Sequence, residues 1–220
     1  YNKNELGCVR VFKWSGKRHK WIQLGKNIVG VAKNGQLGYS VALSGDGSVV
    51  SMGANVNGDI FNNAGHVRVY EWSKEGSSEA WVQKGSNING EAAADYSGYS
   101  VTMNRSGSVI AIGSPSNDES GINSGHVRVF EFNDGSSSWD RKGLPISGEY
   151  AVDFSGWSIS LDSIGSTIAI GAPGNDENGN NSGHVRVYDW DESSWVPRGD
   201  DIDESAYDVS GYSVSLNVSL

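Results

Sequence analysis

Short segments in which apolar and larger polar side chains alternate recur along the whole chain. In GHVRVYEW, which begins at Gly65, Val67 and Val69 point to one side and the bulkier residues between them point to the other. A period of two residues indicates a β-strand. Because both sides carry large side chains, we expect sheets that pack against a neighbour on each face.

The same segment occurs four times at nearly constant spacing: GCVRVFKW at Gly7, GHVRVYEW at Gly65, GHVRVFEF at Gly125 and GHVRVYDW at Gly183. Three other strand-like segments recur with it, and WVQKGSNI at Trp81, SGYSVTM at Ser97 and VIAIGSP at Val109 are examples. Turns rich in Gly, Ser, Asn and Asp separate them. The period of 58 to 60 residues therefore predicts an all-β chain of repeated four-stranded antiparallel units.

Composition and charge narrow the possible partners. The chain has 17 basic and 26 acidic residues and a formal charge of −9, which disfavours nucleic acid as a partner. Cys8 is the single cysteine, so no disulfide can form within the chain. The sequence has no apolar run near the length of about 18 residues that a membrane-spanning helix needs, so we expect no membrane insertion.

The recurring segments resemble the FG-GAP repeats of the integrin α-subunit head and its relatives. GYS at Gly98 occupies the place of that family's aromatic-glycine pair, and Gly125 opens the third strand. GSP at Gly113 and GAP at Gly171 occupy the place of the Gly-Ala-Pro that ends the second strand. The resemblance spans essentially the whole chain and implies a β-propeller built from four-stranded antiparallel blades.

The family's blade order, in which the inner strand comes first, gives the predicted boundaries. Residues 1–36 supply the outer strands of a partial blade, residues 37–95, 96–153 and 154–209 form full blades, and residues 210–220 supply the inner strand of a further blade. Since relatives have about six to eight blades, we expect a piece of a larger propeller or a ring completed by another chain. The predicted partners are therefore further blades of the same polypeptide or other protein chains.

Calcium binding in this family uses a run of Asp and Asn ligands between the first two strands of a blade. That loop is five residues long here and provides Asp46 in one unit and Asp162 in another. The family's calcium site is therefore not expected in this chain.

Histidine and arginine recur at fixed positions of the third strand, and each set has two interpretations. The positions are His66, His126 and His184 for histidine, and Arg10, Arg68, Arg128 and Arg186 for arginine. A zinc site and a ring of ligand-binding arginines are the functional interpretations. Equivalent residues of successive blades lie far apart, so we predict structural roles instead, with local hydrogen bonds for the histidines and packing on aromatic surface for the arginines.

Acidic residues concentrate in the loops after the second and fourth strands, which emerge at the same end of a blade. This predicted ligand-binding face comprises Asp59, Glu91, Asp95, Asp118, Glu119, Glu149, Asp153, Asp176, Glu177, Asp203 and Asp208. Such side chains commonly cap backbone groups in turns. The alternative is a face that binds a divalent cation or a glycan, with Asp118 and Asp176 as the metal ligands and calcium as the cation considered.

Three Asn residues match the acceptor pattern for N-glycosylation: Asn104, Asn180 and Asn217. Asn104 and Asn217 fall at equivalent positions of the inner hairpin, where we expect exposure at the end opposite the acidic loops. Glycans there would leave the acidic face free.

Neither a nucleophile with its base nor a phosphate-binding glycine loop stands out in the sequence. The interpretation favoured by the resemblance is a secreted or cell-surface propeller that is not an enzyme and serves adhesion or ligand recognition through its acidic face. One alternative is a structural subunit of an extracellular filament, sheath or matrix. The other is a hydrolase or lyase with an acidic site on the central face.

Overall fold

The computed structural model describes residues 6–75 and 78–216. They form an all-β architecture of antiparallel sheets that correspond to the blades of a β-propeller, which confirms the predicted fold class. Three sheets have five strands each, and two further sheets have two strands. Helices long and apolar enough to cross a bilayer do not occur in these residues.

The three five-stranded sheets repeat one arrangement. The first contains β5 (Val41–Leu43), β6 (Val49–Ala54), β7 (His66–Glu75), β8 (Ser78–Gln83) and β9 (Ile88–Asn89). The second contains β10 (Ser100–Met103), β11 (Val109–Ser114), β12 (His126–Asn133), β13 (Ser138–Arg141) and β14 (Ile146–Ser147). The third contains β15 (Ser158–Leu161), β16 (Thr167–Ala172), β17 (His184–Trp190), β18 (Trp195–Pro197) and β19 (Ile202–Asp203). Ahead of them lie β1 (Cys8–Val9), β2 (Phe12–Ser15), β3 (Lys20–Gln23) and β4 (Ile28–Val29).

The fourth predicted strand of each unit is two short strands rather than one. In the second sheet, β13 pairs with the far half of β12, and β14 pairs with its near end through Val127 and Ile146. Gly143 lies between the two pieces with a φ of 82°. A left-handed residue of this kind turns the chain out of the ladder, so pairing stops and resumes three residues later.

The predicted inner strand of residues 210–220 does not form among the residues described there. Residues 210–216 carry no strand assignment, and residues 217–220 lie outside the described part of the chain. The segment is held at its start by Gly211 and near its end by the amide of Leu216, which donates to Ser160 Oγ at 2.9 Å. It lacks a strand partner within the described residues, so the ladder that would define a strand is missing.

The hydrophobic core lies between neighbouring sheets rather than inside any one of them. One cluster joins Val127 and Val129 of the second sheet to Ile168 and Ile170 of the third. The second strand of each blade is buried along its full length. Burial on both faces agrees with the two-sided pattern of apolar side chains in the sequence.

A close backbone contact between blades explains the glycines of the repeat. The Cα of Gly113 lies so close to the carbonyl oxygen of Gly156 in the next blade that an added Cβ would collide with it. The hydroxyl of Ser100 donates to the same carbonyl at 2.7 Å. Equivalent bonds of 2.7 Å run from Ser40 to the Gly98 carbonyl and from Ser158 to the Gly211 carbonyl.

Tryptophan side chains make a second tie between blades near the outer edge. The Trp139 indole N–H donates to the Lys84 carbonyl at 2.8 Å, across the joint between the first and second sheets. Trp81 and Trp195 make the equivalent bonds to Leu24 and Lys142 at 2.9 Å. The joints between the first and second and between the second and third five-stranded sheets are thus each bonded by both an inner serine and an outer indole.

We expect Gly113→Ala to destabilise the chain by about 1–3 kcal/mol or more, because the new methyl group must push the second and third blades apart. Urea unfolding measures the change. Gly16→Ala is the control, since a Cβ at Gly16 meets nothing within 4 Å. Equal stability of the two variants would show that the close contact does not limit packing.

Trp139→Phe removes the outer bond and leaves the Lys84 carbonyl without its donor. We expect a loss of about 1 kcal/mol in the free energy of unfolding. Trp21→Phe is the matched control, because Trp21 is 65% exposed in its outer strand. A loss in the control as large as that in Trp139→Phe would assign the effect to the aromatic change itself.

Candidate functional site

Many carboxylates of the predicted acidic face stabilise their own loops by accepting hydrogen bonds from nearby groups. Carboxylates of Asp118 and Asp176, the predicted calcium ligands, accept from the backbone amides of Asn123 at 2.7 Å and Asn181 at 2.6 Å. Asp95 accepts from the Ala92 amide at 2.9 Å, and burial raises the pKa of its carboxyl. Further bonds of this local kind involve Asp59, Asp153 and Asp208.

The remaining glutamates of that face surround buried histidines. His66, His126 and His184 begin the third strands β7, β12 and β17, and their side chains are 2%, 0% and 0% exposed. They lie in three different sheets, so they do not share one site. Glu91 and Glu119 approach His126, whereas Glu149 approaches His184.

The densest cluster lies around His184. One ligand atom each from Glu149, Glu177, His184 and Asp201 lies within 4.8 Å of the others. Nδ1 of His184 is 3.5 Å from Asp201 Oδ2 and 3.9 Å from Glu149 Oε2. Glu149 follows the last strand of the second sheet, and the other three residues belong to the third, so the cluster bridges a joint between blades.

The four side chains differ in burial: we call the buried His184 the floor of the cluster and the exposed or partly exposed Glu149, Glu177 and Asp201 its rim. The side chain of His184 is fully buried, while those of Glu149 and Asp201 are 37% and 29% exposed, and Glu177 is exposed. Solvent and small molecules can therefore reach the carboxylates from the loop face. Asp203, which was predicted as part of this face, pairs with His184 only through the β17–β19 ladder.

The repeated arginines lie beneath the histidines. Arg186 is 7% exposed, donates to the Ser147 carbonyl at 2.7 Å, and places Nη1 3.2 Å from Glu149 Oε1. Its guanidinium carbon lies 5.6 Å from the centre of the Tyr188 ring. Arg128 is placed in the same way against Glu91 and Phe130, whereas Arg10 is exposed. Arg128 and Arg186 thus combine packing on an aromatic ring with a charge for the carboxylate above.

Among the residues that the structure describes, neither nitrogen of His184 has a hydrogen-bond partner. The same is true of both nitrogens of His126 and of Nδ1 of His66. A buried polar group without a partner costs free energy, so the orphaned nitrogens call for an explanation. The sequence predicted local hydrogen bonds at these positions, and the structure does not provide them.

The equivalent sites around His126 and His184 differ at two neighbouring positions. Since Ile146 and Ile202 hold the same register, Pro145 is the counterpart of Asp201. Arg141 in β13 has Pro197 as its counterpart in β18. Arg141 donates to Glu91 at 2.6 Å, so the His126 site has two arginines for two glutamates. The His184 site has one arginine for three carboxylates.

The two arginines of the His126 site lower the pKa of Glu91. Partial burial would raise that pKa, but the hydrogen bond from Arg141 and the charge of Arg128 lower it overall. The glutamate is thereby held ionised beside an imidazole, and the arginines neutralise it. Around His184, the described part of the chain provides Arg186 without a counterpart of Arg141.

The three glycosylation candidates differ in their exposure and in whether the structure describes them. Asn104, predicted to be exposed, is 4% exposed, because its side-chain oxygen accepts from the Ser108 and Val109 amides at 3.0 Å and holds the hairpin turn. Asn180 lies in an exposed loop. Asn217 lies outside the described residues.

Comparison with a family model confirms the resemblance seen in the sequence: residues 147–188 match the model of the FG-GAP repeat. This segment contains Glu149, Glu177 and His184. A search of curated protein sequences found no match to the chain.

Three solved structures similar to the chain are described as lactonases. A putative 6-phosphogluconolactonase from Bacteroides fragilis has a TM-score of 0.55 and 10% identity, over 90% of this chain and 49% of that one. A second such protein, from Bacteroides uniformis, has a TM-score of 0.43 and 10% identity, over 95% and 66%. The periplasmic gluconolactonase of Pseudomonas aeruginosa has a TM-score of 0.45 and 13% identity, over 86% and 51%. The chain spans about half the length of the first of these structures.

At 10% identity the Bacteroides fragilis structure establishes the likeness of fold. The prediction of a non-enzymatic propeller for adhesion or ligand recognition is contradicted by the Bacteroides fragilis structure, which has the same kind of fold and is described as a putative lactonase. That prediction depended on the family resemblance, and one fold serves many functions.

The buried histidines make the stability of the chain depend on pH. Burial first, and the charge of Arg128 second, lower the pKa of His126 from 6.5 to about 4, and His66 is lowered to about 4 in the same way. Below pH 6.5 the unfolded chain therefore takes up protons that the folded chain refuses until about pH 4. We expect the free energy of unfolding to fall across this interval by roughly 3 kcal/mol for each histidine.

Urea unfolding between pH 7.5 and pH 4 tests this expectation. His126→Gln should make the fall with pH shallower, whatever its effect at pH 7.5. His19→Asn is the control, because His19 is exposed. An unchanged slope in His126→Gln would rule out this histidine as a source of the pH dependence.

Proposed function

We propose that the chain is part of a propeller hydrolase that opens lactones or related esters of sugar acids. The observation that carries the proposal is the open cluster of three carboxylates around the buried imidazole of His184. Carboxylates and imidazole are the side chains that most often move protons in hydrolysis. The propeller described as a putative 6-phosphogluconolactonase supplies the class of substrate to examine first.

The reaction needs one water molecule and two proton transfers. A carboxylate of the cluster accepts a proton from water as the water oxygen bonds to the lactone carbonyl carbon. The bond from that carbon to the ring oxygen then breaks, and the ring oxygen takes up a proton to give a hydroxy acid. Asp201 and His184, whose Oδ2 and Nδ1 atoms are 3.5 Å apart, are placed to hold the proton between these steps.

The charge of the site favours an uncharged lactone over a phosphorylated one. Arg186 neutralises Glu149 at 3.2 Å, which leaves Glu177 and Asp201 to give the rim its negative charge. A phosphate group would be repelled at such a rim. The substrate we propose is therefore a neutral sugar lactone, in contrast to the phosphorylated compound in the name of the Bacteroides fragilis protein.

Hydrolysis of an uncharged six-membered sugar lactone by the full chain, followed by acid release in a pH-stat, tests the proposal. Spontaneous hydrolysis is subtracted by means of a buffer blank. We expect Asp201→Asn to lower kcat/KM by about 100-fold or more, since a group that transfers protons is removed. The 6-phosphate of the same lactone should be the poorer substrate.

Glu119→Gln is the matched control, because Glu119 occupies the equivalent loop of the neighbouring blade beside His126. It should leave kcat/KM unchanged. A rate equal to the buffer blank, or an equal loss in both variants, would refute a hydrolase centred on Asp201.

A further inference from the structure

We propose that Glu149, Glu177, His184 and Asp201 bind one divalent transition-metal ion such as Zn²⁺ or Mn²⁺. Their four ligand atoms already lie within 4.8 Å of one another. An ion bonded to each at about 2.0–2.2 Å requires separations of at most about 4.4 Å. Small movements of the exposed glutamate side chains would close the remaining gap.

The buried imidazole is the first independent support for this inference. His184 is 0% exposed, and neither of its nitrogens has a hydrogen-bond partner within residues 6–75 and 78–216. Its Nδ1 faces Asp201 and Glu149 at 3.5 Å and 3.9 Å, which is too far for a short hydrogen bond. A metal ion between these groups would satisfy the nitrogen and both carboxylates together.

The balance of charge is the second support. At His184 three carboxylates face one guanidinium, so a divalent cation makes the sum zero. At His126 two glutamates already face Arg128 and Arg141, and Pro145 stands where the third blade has Asp201. The same fold therefore provides a neutralised site and a site with an excess of two negative charges.

The kind of ligand determines the kind of ion. Calcium takes oxygen ligands, six to eight of them. A set of one imidazole nitrogen and three carboxylates suits zinc, manganese or iron better. The inference thus differs from calcium at Asp118 and Asp176, whose carboxylates hold backbone amides.

Metal binding and hydrolysis are separate claims about these residues. The rim charge and the proton transfers proposed above are those of the chain without the ion, because a bound ion would take Asp201 and His184 as ligands. Binding can be measured on the full chain without any substrate, so each claim can fail alone. A chain that binds zinc and leaves the lactone intact would refute the hydrolase and keep the metal site. A chain that binds no metal and still hydrolyses the lactone after complete removal of metal would refute the metal site and keep the hydrolase.

Isothermal titration with Zn²⁺, Mn²⁺ and Ca²⁺ is the direct experiment. The chain should carry no histidine tag, should be freed of metal with a chelator, and should have Cys8, an exposed thiol, replaced by Ser. We expect one Zn²⁺ per chain, weaker binding of Mn²⁺, and binding of Ca²⁺ at least about 10-fold weaker than that of Zn²⁺. The NMR signals of His184 should shift as zinc is added.

Asp201→Asn should weaken zinc binding by at least about 10-fold. This position tolerates change in the fold, because the preceding blade has Pro145 there. Glu119→Gln, beside His126, is the control and should bind zinc like the parent. The inference is overturned if no heat is released with Zn²⁺ or Mn²⁺, if Ca²⁺ binds more tightly than Zn²⁺, or if both variants lose affinity equally.

Discussion

The contact on which the propeller depends is the approach of a glycine Cα to a carbonyl oxygen of the next blade. At Gly113 this approach leaves no room for a Cβ, and the hydroxyl of Ser100 bonds to the same oxygen of Gly156. Val109 of one second strand and Ile168 and Ile170 of the next belong to one core cluster across this joint. The contact recurs at Gly53 and Gly171, so the joints that follow the three five-stranded sheets share it. The outer indole bonds, the core clusters and the spacing of the loops follow from it.

The sequence predicted the repeat, the strand types and the fold class because these depend on local patterns that occur several times. The alternating segment exemplified by GHVRVYEW occurs four times, and the Gly-rich hairpin turn occurs three times. The break in the fourth strand was missed, since Gly85 and Gly143 look like ordinary residues inside an apolar segment. Their left-handed φ angles of 73° and 82° belong to the folded chain, where the strand must leave one half of its partner and rejoin the other.

The candidate site was harder to foresee because it lies across a joint and depends on residues that do not repeat. Glu149 and Asp201 are distant in sequence, and the register between sheets brings both to His184. Asp201 occurs in one unit only, with Pro145 in its place in another, so a search for repeated residues passes over it. Repetition also made the three histidines look alike, although their surroundings differ in charge. The signal that could have found the site is the departure from the repeat, at positions 197 and 201.

The break divides the fourth strand into two pieces with different roles, one in the contact between blades and one in the candidate site. On one side of Gly199, whose φ is 74°, Trp195 anchors its blade to the preceding one through the Lys142 carbonyl. On the other side, Asp201 reaches the buried imidazole. Because the left-handed turn uncouples the anchor from the loop, residues beyond it can vary without loosening the scaffold. Residues after the turn can therefore differ from blade to blade, which gives each blade its own surface chemistry while the contacts between blades stay the same.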